Sequence, residues 1–107
     1  MSYLHIERDR LRRFLSPWHH GSGPVVWQPD AADANGEAKQ KLIALAADTV
    51  AACDLAMKGR AHAIPAFDDS DYTTLEQALI DDYERDRFLA LAQACQLALH
   101  ELRRFDT

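Results

Sequence analysis

The sequence predicts an all-α fold, a three- or four-helix bundle in one domain spanning residues 1–107. Three observations predict it. Apolar residues recur at spacings of three and four in three separate stretches. Proline, glycine and capping residues fall between those stretches rather than inside them. At 107 residues and 48% hydrophobic content, the chain is long enough for one core without a metal or disulfide staple.

The first stretch runs from about Tyr3 to Leu15. Leu4, Leu11, Phe14 and Leu15 share a helical face, and Asp9 lies four residues before Arg13 as a supporting pair. Ser16-Pro17 should stop it, because the residue before proline avoids the α region.

Residues 16–34 then form a connection far longer than the usual 4 to 6 or so. It holds Pro17, Pro24 and Pro29, Gly21 and Gly23, both tryptophans (Trp18 and Trp27), and His19 and His20. A loop of this length must bury something to stay ordered. Trp18 and Trp27 are expected either to plug the open side of the bundle or to wall a binding pocket. Pro24-Val25-Val26-Trp27 should be extended.

The second helix is expected to start near Asp33 or Asn35 and to end near Gly59. Glu37 and Lys41 form an i,i+4 pair on it, and Leu42, Ala46, Thr49, Val50, Cys53 and Met57 make its apolar stripe.

After a second connection, Thr73-Thr74-Leu75-Glu76 reads as a capping box that opens a pattern reaching to Phe105. Its early stripe (Leu75, Leu79, Ile80, Tyr83) and its late stripe (Phe88, Leu91, Cys95, Leu99, Leu102) point roughly 140° apart at 100° per residue. A break between Asp81 and Arg87 would give four helices. A continuous helix, straight or mildly kinked, would give three and leave a spare apolar face for a second copy. No glycine or proline marks a break, so a continuous helix is the favoured expectation.

Charge is unevenly placed. The chain carries −5 in all: residues 68–87 carry −6 and the remaining residues +1. Bulk charge therefore argues against direct nucleic-acid binding. The arginines of the first helix (Arg8, Arg10, Arg12, Arg13) share it with Glu7 and Asp9, which makes a strong basic-helix reading untenable. They could complement the acidic stretch, within the chain or across a dimer. Asp81 and Arg85 could also pair at i,i+4 on a solvated face. No signal peptide and no membrane-spanning run is visible, and Cys53 and Cys95 match no zinc or CxxC spacing. A cytoplasmic protein with reduced, buried thiols and no membrane association is expected.

No phosphate loop, nucleophile elbow, dinucleotide fingerprint or HExxH motif occurs, so no catalytic residue and no cofactor is assigned. The leading expectation is a non-enzymatic interaction protein: a regulator, inhibitor or adaptor. It would bind a protein partner, or itself as a homodimer, through its acidic stretch and a spare apolar helix face. The candidate partner-binding residues are Trp18, His19, His20, Trp27, Asp81, Asp82, Glu84 and Asp86. One alternative is a small metal-binding protein or enzyme using His19 and His20 with a carboxylate such as Asp68 or Asp69, although metal sites need three or four convergent ligands. Another is a structural subunit of a larger complex.

Overall fold

The computed structural model describes residues 3–19 and 27–106. Four helices occur in it: α1 (Leu4–Leu15), α2 (Gly36–Met57), α3 (Asp69–Ala78) and α4 (Arg85–Phe105). The helical bundle is as expected, and it takes the four-helix form. No helix of the described residues is long and apolar enough to cross a membrane.

Side-chain contacts fix the directions of the helices. Trp18, just past α1, stacks on Phe88 near the start of α4, with ring centroids 4.6 Å apart. Hence α1 runs antiparallel to α4. Lys39 near the start of α2 meets Glu84 at the start of α4, so these two run parallel. Gln93 donates to the Tyr72 hydroxyl and Gln96 to Asp69, which sets α3 antiparallel to α4. The result is an up-down-up-down arrangement.

The core is one contiguous cluster. Leu4, Leu11 and Leu15 of α1 meet Ile43, Ala46 and Cys53 of α2 and Phe88, Leu91, Cys95, Leu99 and Leu102 of α4. Leu75 and Leu79 belong to it too. Small residues on α2 and α4 (Ala46, Ala52, Ala56, Ala92, Ala98) are buried in this core. Phe14, placed on the core face by its spacing, is instead exposed.

Termini show which sequence signals operate. α2 ends in a Schellman motif: Gly59 takes φ +68°, Arg60 N–H donates to the Leu55 carbonyl, and Gly59 N–H donates to Ala56. The α3 start differs from the expected one. The helix opens at Asp69, and the reciprocal capping box is Asp68 with Asp71, at 3.0 Å in both directions. Thr73 and Thr74 lie inside the helix, where their hydroxyls donate back to the carbonyls of Asp69 and Ser70.

The continuous helix expected over residues 73–105 is broken: α3 stops at Ala78 and α4 starts at Arg85. The physical reason is polar rather than conformational. Asp82 and Glu84 leave the helix path to reach Lys39 on α2, and the Asp82 carboxylate accepts from the Glu84 N–H to close the turn. The break rotates the two apolar stripes onto one core, so Leu75, Leu79, Phe88 and Leu99 are all buried within one chain. The spare face of a long helix is therefore absent. Ile80 and Tyr83 fall on the turn and project into solvent, 70% and 94% exposed.

Candidate functional site

The most unusual residue in the chain is Lys39. It occupies a core position on the α2 stripe, one step before Leu42, and its side chain is fully buried. An unpaired ammonium at such a place would cost several kcal/mol, so it must be paired and hydrogen-bonded. Three carboxylates meet it: Asp33 at 3.0 Å, Asp82 at 2.9 Å and Glu84 at 3.0 Å. Three acceptors match the three N–H donors of an ammonium. The ring of Phe88 lies 5.3 Å from Nζ and that of Tyr83 5.8 Å, within cation–π range.

Each carboxylate is delivered by a separate device. The Asp33 Oδ1 accepts from the Asn35 N–H, which leaves Oδ2 to face Lys39. Asn35 in turn donates its side-chain amide to Asp82 at 3.0 Å. Asp30 starts the same loop with a turn of its own, accepting from the Ala32 N–H. Gly36 lets the loop close: a Cβ there would lie 2.4 Å from the Pro29 Cβ.

Lys39 and Asp82 are each held in their charged form. Burial opposes the Lys39 charge, but hydrogen bonds to Asp82, Asp33 and Glu84 outweigh it and hold the ammonium's pKa above its ordinary value. For Asp82, burial pushes upward, and donation from Asn35, Lys39 and the Glu84 N–H brings the net value below the usual carboxylate range. A permanently protonated lysine is neither a nucleophile nor a general base. The arrangement is therefore a structural ion cluster with surplus negative charge.

That surplus opens onto a cleft of about 700 Å³ between the 27–35 loop and the α3–α4 turn. Asp30, Asp33, Asp81, Asp82 and Glu84 line it with Asn35. Trp27, Ile80 and Tyr83 supply its apolar walls. Five carboxylates thus face it, with Lys39 as the buried cation behind them; Arg87 reaches Glu84 only at 4.0 Å. Asp81 and Asp30 are exposed, and neither takes part in an ion pair among the described residues.

The residues expected from the sequence divide in two. Trp27, Asp81, Asp82 and Glu84 come together at the cleft. Trp18 does not: it is half-buried against Phe88, with the Arg87 guanidinium 5.0 Å above its ring. His19 is half-buried beside it in sequence, and Asp86 is exposed and faces Arg85 at 3.8 Å. His20 and residues 24–26 of the extended segment expected at 24–27 lie outside the described residues. Arg85 turns to Glu76 at 3.7 Å rather than to Asp81, because the helix that would have paired them is interrupted. Among the ion pairs of the described residues, the α1 arginines use Asp54, Asp9 and Glu7, not the acidic stretch.

Lys39, Asp33, Asn35 and Tyr83 belong to the site although sequence reasoning does not place them there. A signal for Lys39 is present: a lysine in register with Leu42, Ala46 and Cys53 on an apolar stripe. Such a lysine requires acids from elsewhere in the fold.

Other chemistry is quiet. Burial pushes the Cys53 thiol up to about 11 and the Cys95 thiol up to about 12, so both stay protonated and unreactive. Among the described residues, no three His, Cys, Asp or Glu side chains converge as a metal site. No family model, no curated protein and no solved structure matches the chain.

Proposed function

We propose that the protein is a non-enzymatic interaction module, a small regulator or adaptor, that docks a basic segment of a partner protein in the cleft between the 27–35 loop and the α3–α4 turn. The observation that carries the reading is the composition of that cleft. Five carboxylates line it, three of them paired to one buried ammonium, and two large apolar side chains, Ile80 and Tyr83, stand exposed on the rim. A partner arginine or lysine would meet Asp30 and Asp81, while its aliphatic stem would cover Ile80 and Tyr83. Aromatic residues beside a charged pocket are frequent binding anchors. Charge complementarity of this kind chiefly sets specificity and association rate.

The test uses fluorescence anisotropy of a labelled arginine- and lysine-rich peptide, with an acidic peptide of equal length as control. The expected result is saturable binding of the basic peptide that weakens with salt. The double variant Asp30→Asn, Asp81→Asn should lower affinity by about 10-fold or more, since each lost charge contact is worth on the order of 1 kcal/mol. The amide oxygen introduced by Asp30→Asn can still accept from the Ala32 N–H, so the loop is retained. Equal binding by wild type and variant, or none by either, would remove the reading. Concentration-dependent mass in light scattering would instead point to a second copy as the occupant.

A further inference from the structure

We propose that His62 is a proton-operated clasp: as an imidazolium it fastens the α2–α3 connection to the C-terminal end of α4, and loss of its proton weakens that fastening. The His62 ring has an acceptor at each nitrogen. Nδ1 faces the Arg60 carbonyl at 2.9 Å, and Nε2 faces both oxygens of Asp106, at 3.0 and 3.1 Å.

A neutral imidazole carries one N–H. Whichever nitrogen keeps it, the other turns a lone pair toward an oxygen. Only the doubly protonated ring satisfies both contacts. Asp106 caps α4, where the helix dipole also favours a cation. Within ion-pair distance of the ring, the charged side chain among the described residues is Asp106; from its own connection His62 meets the Arg60 backbone. These hydrogen bonds raise the His62 pKa above its ordinary 6.5, so the clasp is at full strength below that value and loosens as pH rises through the folded one.

The tether has a target. Past His62 the connection carries Ile64 and Phe67, which pack against the core, and Ala66 and Phe67 wall an apolar groove of about 400 Å³ between α2 and α3. Between the two anchors (Gly59 in its helix cap and Asp68 in its capping box), His62 supplies a side-chain tie to another element.

The experiment follows the His62 ring by NMR across pH in the full chain, together with amide hydrogen exchange of residues 60–68. The expected result is a His62 midpoint above 6.5 that falls in Asp106→Asn. Exchange at residues 63–67 should accelerate through that midpoint beyond the intrinsic base-catalysed rate. In His62→Gln the additional acceleration should vanish, and the connection should exchange at the fast, open-state rate at all pH values. A His62 midpoint at or below 6.5, or exchange at 63–67 indifferent to it in wild type, would overturn the proposal. Asp106 follows α4 and is exposed, so its variant keeps the core, and the helical circular dichroism of each variant verifies this.

Discussion

Lys39 Nζ lies 2.9 Å from Asp82 Oδ2, a contact that ties the beginning of α2 to the turn between α3 and α4. The pair organises much of what is unusual here. It interrupts a helix that lacks glycine or proline, draws the 27–35 loop inward through Asp33 and Asn35, and leaves Ile80 and Tyr83 outside.

Replacing Lys39 should therefore be far more damaging than replacing another lysine on the same helix. Lys39→Met leaves three carboxylates facing one another in a buried place and should cost about 3–5 kcal/mol. Lys41→Met removes only an exposed pair with Glu37, 3.1 Å long, and should cost about 0.5 kcal/mol or less. Urea denaturation midpoints compare the two. Should Lys39→Met unfold the chain outright, Asp82→Asn gives a milder reading, on the order of 1–3 kcal/mol.

Stability should follow pH with a defined sign. The Asp82 pKa is depressed in the folded chain, so its contribution is present above the ordinary value of 3.8 and is lost as pH falls through the lower folded value. The Lys39 pKa is raised, so its contribution is present below 10.5 and is lost as pH rises through the higher folded value. The cluster thus supports a plateau between these limits. Thermal melts between pH 2 and 7 or so should show a shallower acid limb in Asp82→Asn than in wild type. An identical limb in both would show that Asp82 is not part of the acid transition.

Phe88 joins the core to the tryptophan loop, with Trp18 at 4.6 Å and Trp27 at 6.3 Å between ring centroids. Phe88→Ala should cost about 3–5 kcal/mol and shift tryptophan emission to the red as both indoles gain water. Destabilisation with unchanged emission would mean that the indoles are held by other contacts.

The start of α3 offers a sharp comparison. Asp68→Ala removes half of the capping box and should cost about 1 kcal/mol. Thr73→Ala, in the helix interior, should stay within about 0.5 kcal/mol. The reverse ordering, in chemical denaturation, would place the helix start at the threonines.

Helix existence and most of the core were legible because they depend on local spacing. Leu4, Leu11 and Leu15 for α1, and the Phe88–Leu102 stripe for α4, are buried as their periodicity requires. The α3–α4 break was legible only as a conflict between two stripes. Its cause lies 43 residues away from Asp82, at Lys39, which no local rule connects to it. Four of the cleft residues (Trp27, Asp81, Asp82, Glu84) carried a compositional signal. Asn35 stands at the N-cap of α2 as its residue type suggests, but its side chain makes no cap bond and donates to Asp82, while Asp33 faces Lys39. A residue with two polar uses shows only one of them in the sequence.

Whether a basic ligand seats in the acidic cleft is measured most directly by amide chemical-shift mapping of the isotopically labelled protein during titration with the arginine- and lysine-rich peptide. The predicted result is a saturable set of shifts confined to residues 27–35 and 78–84, abolished by Asp30→Asn with Asp81→Asn. Shifts scattered over the other acids of the 68–87 stretch, or concentrated away from the cleft, would contradict it.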